Sequence, residues 1–147
     1  MKVSCTVNGA AVELDVRADE TLLEVLRREL DLRSVRPTCG IGVCGACTAF
    51  VDGEPISTCL TLAPLAAGRD ITTVEALGGD HPVQRAFVEA HAFQCGYCTP
   101  GMILTAARLL EEVPSPSDEE IALALSGNLC RCGCYVKIVD AVRRAAA

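Results

Sequence analysis

All but one of the 10 cysteines in this 147-residue chain fall into three short stretches. Cys39, Cys44, Cys47 and Cys59 form the first, Cys95 and Cys98 the second, and Cys130, Cys132 and Cys134 the third. Thiols grouped in this way have few physical fates: disulfides, metal or cluster ligation, or redox chemistry. The compartment decides among them. Met1-Lys2-Val3-Ser4-Cys5-Thr6-Val7 is too polar and too alternating for a secretory apolar region, and no apolar stretch follows the twin arginine Arg27-Arg28. No run approaches the roughly 18 apolar residues that a membrane span needs. A cytoplasmic chain is expected, in which disulfides are rare and grouped cysteines more often bind metal.

Half the residues are hydrophobic, yet there is no Trp, and the aromatic residues are Phe50, Phe87, Phe93, Tyr97 and Tyr135. The core is therefore expected to be aliphatic. The formal charge of −6 offers no basic footprint for nucleic acid.

The hydrophobic period changes near the middle of the chain. Val3, Cys5 and Val7 alternate with polar residues, Asn8-Gly9 signals a tight hairpin, and Val12, Leu14 and Val16 alternate again. Thr21-Leu22-Leu23-Glu24 matches a capping box and opens a helix carrying Leu22, Leu23, Leu26 and Leu30. Residues 33–47 read as loop, Thr48–Val51 as a short strand, and 55–62 and 70–74 as weaker strands. Gly78-Gly79-Asp80-His81-Pro82 reads as a linker. Beyond it the pattern is helical, with Val83, Ala86, Phe87 and Ala90 on one face. Thr99 is expected to cap a second helix with Pro100 at its first position, Ser117–Glu120 is a capping box for a third, and 136–145 forms the last. The expected organisation is a mixed sheet crossed by one helix over 1–77, a linker at 78–82, and four short helices over 83–147. Units of about 70 residues often need metals or a partner for stability.

Cys39-x4-Cys44-x2-Cys47 followed by Cys59 is the ligand spacing of a plant-type 2Fe–2S cluster. Three thiolates from one loop must wrap a compact anion. Gly40, Gly42 and Gly45 permit the tight backbone and bring N–H groups close to the sulfurs. Structural zinc is the alternative, but zinc sites favour two C-x2-C knuckles, and only one such pair lies here. Cys95, Cys98, Cys130 and Cys132 come from two interhelical turns that can converge at one end of a bundle. Their spacing suits a second 2Fe–2S cluster or zinc, and alone does not separate them. Cys5, on the inner face of the first strand, and Cys134 read as buried small residues, with Cys134 also open as an extra ligand or redox-sensitive thiol. His81 and His91 have no catalytic partner at useful spacing, and Asp118, Glu119 and Glu120 form a helix N-terminal charge cluster.

Three segments together carry a resemblance: Cys39-Gly40-Ile41-Gly42-Val43-Cys44-Gly45-Ala46-Cys47-Thr48, Gln94-Cys95-Gly96-Tyr97-Cys98-Thr99-Pro100-Gly101-Met102, and Ser126-Gly127-Asn128-Leu129-Cys130-Arg131-Cys132. Over nearly its whole length the chain resembles the iron–sulfur subunit of the molybdenum hydroxylases, the xanthine oxidase and aerobic carbon monoxide dehydrogenase family. The resemblance implies an α+β chain, with an N-terminal β-grasp ferredoxin-like domain and a C-terminal four-helix bundle, each holding one 2Fe–2S cluster. It implies electron transfer from molybdopterin-bound molybdenum, through the helical-domain cluster and then the ferredoxin-domain cluster, to FAD. Gln94 would contact the pterin, and Cys132 would be the ligand nearest to it. The implied partners are a large subunit, which binds molybdopterin, and a medium subunit, which binds FAD, in a heterotrimer or a dimer of heterotrimers. Gly133-Cys134-Tyr135 departs from the Thr-Gly-Tyr or Gly-Thr-Tyr usual there, and Thr38 stands where many members carry glycine.

The expected role is electron transfer within an oxidoreductase, not catalysis by this chain alone, since 147 residues leave no room for a molybdenum or flavin domain. A free two-cluster ferredoxin and a zinc-bound interaction module are the competing readings. Gln94 has no evident task in the first, and a colourless protein would favour the second.

Overall fold

β1 (Lys2–Val7) and β2 (Ala10–Asp15) pair antiparallel from Lys2↔Asp15 to Val7↔Ala10 around the expected turn. Asn8 and Gly9 take φ of 51° and 81°, as a two-residue turn matched to strand twist requires. The computed structural model describes residues 1–147. With β3 (Thr48–Val51), β4 (Glu54–Ser57) and β5 (Asp70–Thr72), the hairpin forms a five-stranded sheet of order β2-β1-β5-β3-β4. The β1–β5 pairing is parallel and the other pairings are antiparallel.

α1 (Leu22–Leu30) begins at the expected capping box, in which Thr21 Oγ1 accepts the Glu24 N–H and a Glu24 carboxylate oxygen accepts the Thr21 N–H. Its buried face, Leu22, Leu23, Val25 and Leu26, joins Val3, Cys5, Val7, Leu14 and Ile71 of the sheet in one aliphatic core. Cys5 is part of that core, which also takes in Cys47 and packs against Cys59. The strand expected over 55–62 ends at Ser57. Beyond it the Leu60 N–H turns back to the Ser57 carbonyl, and the fully buried Thr58 hydroxyl donates to the Cys47 carbonyl at 2.7 Å. Cys59 therefore sits on a turn, not on a strand.

The second half is α2 (Pro82–Glu89), α3 (Thr99–Glu112), α4 (Asp118–Ala124) and α5 (Tyr135–Ala146). Val83, Phe87, Met102, Ile121, Ile138 and Val142 are the large side chains fully buried in its core. α4 starts at the Ser117–Glu120 capping box, and α2 at a cap made by His81, whose Nδ1 accepts the Val83 N–H at 3.3 Å. The cap of α3 lies one residue earlier than expected. Cys98 is the N-cap, Thr99 is the first helical residue, and Pro100 follows.

The two cores meet along a seam. Val74 and Leu77, on a 3₁₀ turn after β5, pack against the helical core, and Glu75 accepts the Ser34 N–H at 3.1 Å. Phe50 of β3 and Leu104 of α3 are both buried and line one cleft between sheet and helix. This seam brings the three cysteine stretches toward one another.

Candidate metal centres

Residues 36–47 form the first centre. The loop is closed at its base by the Arg36 N–H, which donates to the Ala46 carbonyl at 3.0 Å. Within it Gly40, Gly42 and Gly45 have φ of 68°, 72° and 72°. These left-handed residues curl the backbone so that the N–H groups of Ile41 and Val43 both point at Cys39 Sγ, each at 3.4 Å. The Ile41, Cys44 and Val43 N–H groups hold the Cys39 thiol down at about 6, well below an ordinary cysteine. Donors that favour a thiolate favour any anion built on it. Cys59 behaves oppositely: burial raises its pKa, and the neighbouring Cys47 thiol raises it further.

The second centre joins the α2–α3 turn to the α4–α5 turn. Gly96 and Gly133 supply positive φ, 76° and 75°, beside the paired cysteines. The Tyr97 N–H donates to Cys95 Sγ, and the Cys134 N–H to Cys130 Sγ, both at 3.4 Å. The Tyr97 N–H and then the Cys132 thiol lower the Cys95 pKa. Burial opposes ionisation of Cys130, but the Cys134 N–H and the Cys98 thiol outweigh it, so its pKa falls. Burial, reinforced by Cys130, pushes Cys98 up to about 12. The Tyr135 hydroxyl accepts the Cys130 N–H at 2.8 Å and ties the α5 start to this turn.

Within each set the thiols stand close enough to shift one another: Cys44 lowers the Cys39 pKa and Cys47 raises that of Cys59, Cys132 lowers that of Cys95 and Cys130 raises that of Cys98, while Cys130 also raises that of Cys134. A two-iron cluster takes two thiolates on each iron, whereas structural zinc gathers all four around itself. Four thiols in each set, with backbone N–H groups aimed at Cys39, Cys95 and Cys130, fit a thiolate-held 2Fe–2S cluster in both places. Thr99 gives a further sign. Its hydroxyl is buried without any hydrogen-bond partner, one residue beyond Cys98. Buried polar groups are nearly always paired, and an acceptor brought by a cluster would pair this one. Thr99→Val is expected to leave the iron content intact and lower the potential of the helical-domain cluster by roughly 40 mV, the equivalent of about 1 kcal/mol for one hydrogen bond. Redox titration followed by EPR measures it, and an unchanged potential would mean that the hydroxyl meets no cluster atom.

Cys134 lies hydrogen-bonded beside Cys130, and burial raises its pKa. Gln94 is exposed and lines one surface cleft with Phe93, Cys132, Cys134 and Lys137. His91 lies just past the end of α2, with φ of 49°. Several residues that hold the centres carried no signal in the sequence beyond their place in or beside the cysteine segments. Arg36 donates to the Gly96 and Tyr97 carbonyls at 2.6 and 2.9 Å and lies over the Tyr97 ring at 5.1 Å. The Tyr97 hydroxyl donates to the Pro37 carbonyl at 2.6 Å. Asn128 and Thr58 are buried polar residues of the same kind.

Two 2Fe–2S domains in series are the class of protein that this fold and these centres define. Known proteins agree: residues 5–72 match the family described as 2Fe-2S iron-sulfur cluster binding domain, and residues 73–143 match the [2Fe-2S] binding domain family. The nicotinate dehydrogenase small FeS subunit of Eubacterium barkeri is 47% identical over 97% of this chain and 93% of its own length. The nicotine 6-hydroxylase small subunit of Paenarthrobacter nicotinovorans is 48% identical over 97% of this chain and 87% of its own. The crystal structure of quinoline 2-oxidoreductase from Pseudomonas putida 86 superposes with a TM-score of 0.95 at 43% identity, over 99% of this chain and 92% of that one. Aldehyde oxidoreductase from Desulfovibrio gigas superposes at 0.93 and 39% identity, with this chain covering 17% of that longer chain. The chain belongs to the iron–sulfur small subunits of the molybdenum hydroxylases. It is the electron-transfer subunit of an oxidoreductase, with the α+β organisation expected, and it works with partner subunits. None of its helices is long and apolar enough to cross a membrane.

Proposed function

We propose that Cys39, Cys44, Cys47 and Cys59 hold one 2Fe–2S cluster, and that Cys95, Cys98, Cys130 and Cys132 hold the other. The observation that carries this reading is the aim of backbone N–H groups at Cys39, Cys95 and Cys130, in two segments that match 2Fe-2S binding domains. When bound, the clusters supply one-electron redox chemistry. The chain's own part is to hold them at fixed separation and to aim N–H donors at their sulfurs. Gly40, Gly42 and Gly45 shape the loop that lets those donors approach. The units are taken as 1–77 and 83–147, joined by 78–82.

Gln94 is assigned to a molybdopterin carried by a large subunit, with Cys132 as the ligand nearest to it. Both border the same exposed cleft, which supports a docking face there. The sheet unit is assigned to a medium subunit that binds FAD, so that electrons run from the helical unit to the sheet unit and outward. The proposed assembly is a heterotrimer, alone or paired. The cytoplasm is the proposed compartment, since 10 free cysteines suit a reducing environment. The matches named for nicotinate, nicotine and quinoline support an N-heteroaromatic substrate, oxidised at carbon on the large subunit.

The test is iron, zinc and acid-labile sulfide per chain, on the protein with whatever subunits accompany it. About four irons and four sulfides are expected, together with a large and a medium subunit, and with Gln94 and its neighbours shielded from hydrogen exchange. About two irons with zinc, or no sulfide, would sink the second centre. A chain that purifies alone with both clusters loaded would be a free ferredoxin.

A further inference from the structure

The two centres are joined by one direct connection. The Leu129 N–H donates to the Cys44 carbonyl at 2.8 Å. Cys44 is a candidate ligand of the first cluster, and Leu129 immediately precedes Cys130, a candidate ligand of the second. From Cys44 Sγ the path runs through Cβ, Cα and the carbonyl, and crosses that single hydrogen bond. It continues through the Leu129 N, Cα and carbonyl carbon to the Cys130 N, Cα, Cβ and Sγ. The other crossings are longer. Arg36 reaches the Gly96 and Tyr97 carbonyls by its full side chain from three residues before Cys39, and Tyr97 reaches Pro37 by its whole ring.

One side chain is built into this connection. Asn128 is 5% exposed. Its Nδ2 donates to the Gly45 carbonyl at 3.2 Å, next along from Cys44, and its Oδ1 accepts the Thr105 hydroxyl of α3 at 3.2 Å. Glycines make room for it. A Cβ on Gly45 would lie 2.7 Å from Asn128 Nδ2, and one on Gly101 would lie 3.1 Å from the same atom and 2.5 Å from the Gly45 carbonyl. A buried amide bonded at both ends has one orientation, and a misfit would leave polar groups unpaired. Thr105 thus aims the amide, the amide joins the Thr48 hydroxyl and N–H, at 2.7 and 3.2 Å, in holding the Gly45 carbonyl, and Gly45 fixes the Cys44 carbonyl against Leu129.

We propose that Asn128 is a positioning residue for electron transfer between the two clusters, acting by locking the Cys44–Leu129 hydrogen bond that joins their ligands. This rests on the ligand assignment above. The bridge carries one electron at a time from the reduced helical-domain cluster to the oxidised ferredoxin-domain cluster. One cluster is oxidised, the other is reduced, no bond is broken, and no proton leaves Leu129.

The experiment uses the assembled protein, wild type beside Asn128→Ala and the near-isosteric Thr105→Val. Iron and sulfide are counted first, both EPR signals are recorded after reduction, and intercluster transfer is then timed by flash reduction with freeze-quench EPR. Asn128→Ala is expected to keep both clusters and their potentials, to lose hydrogen-exchange protection at Leu129, to weaken the spin coupling between the reduced clusters, and to slow intercluster transfer several-fold. Thr105→Val is expected to shift the same readouts in the same direction by less. Wild-type rate and coupling in Asn128→Ala with both clusters present overturns the inference and leaves the ligand assignment standing. If Asn128→Ala loses a cluster, Thr105→Val decides, and a wild-type rate there overturns the inference equally. A wild-type chain without two clusters overturns the ligand assignment, and the inference falls with it.

Discussion

Cys130→Ser is expected to take the purified subunit from about four irons and four sulfides per chain to about two of each, and to erase one of its two reduced-state EPR signals. Cys130 is buried, its pKa is lowered by the Cys134 N–H and the Cys98 thiol, and its own N–H is fixed by the Tyr135 hydroxyl. Serine can take up none of this as an anion, since its hydroxyl does not ionise near neutral pH. Cys39→Ser should erase the other signal, because Cys39 is the thiol toward which the loop aims its N–H groups. Cys5→Ser, in the aliphatic core, should retain both signals and cost only the stability of a buried hydroxyl, about 1–3 kcal/mol. Two signals surviving in Cys130→Ser would mean that Cys134 replaces the lost ligand from its place beside it. The double substitution of both residues would show this by losing the signal.

Local chemistry in this chain was legible wherever one residue type has one dominant structural use. The Asn8-Gly9 turn needs two left-handed residues and little else, and it forms as read. The capping boxes at Thr21 and Ser117 are short-range hydrogen-bond exchanges, and both are present. The thiol sets stood out because spacing is a property of the chain itself, and their assignment as ligands is the proposal made above. What failed was whatever depends on a distant partner. Thr99 reads as a cap, yet Cys98 takes the cap position with its thiol beside Cys130 of the other turn, so that Thr99 begins the helix and its hydroxyl faces inward without a partner. The strand expected through Leu62 stops at Ser57 because Thr58 is committed to the Cys47 carbonyl. His81 is a local case instead: without a catalytic partner by spacing, it caps α2 through the Val83 N–H two residues on. Asn128 and Arg36 are the clearest cases. Each is an ordinary polar residue in or beside a cysteine segment, and each acquires its role only when the cluster loop and the helical turns are brought together.

The seam formed by those distant partners is where a single added methyl group does most harm. In Gly45→Ala the new Cβ would lie 2.3 Å from the Gly127 carbonyl oxygen, which is backbone and cannot swing aside, and it would press on Asn128 at Nδ2 and Cα. The residue also holds φ of 72°, a conformation that costs an L side chain about 1–2 kcal/mol by itself. Gly9→Ala separates the two effects. Its φ is 81°, but no atom stands within 4 Å of the added Cβ, so only the backbone strain applies. Cluster proteins unfold irreversibly, and the rate of bleaching of the visible absorbance at a fixed temperature is the usable measure. Strain of about 1 kcal/mol in Gly9→Ala should speed bleaching by no more than about fivefold. Strain plus the seam clash, about 3 kcal/mol or more, should speed it about a hundredfold in Gly45→Ala. Because the clash falls between the units and not inside either core, hydrogen exchange should show the Leu129 and Gly45 region opening first while α1 and α5 stay protected. Equal bleaching in the two variants would mean that the seam carries no stability, and that each unit holds its cluster without the other.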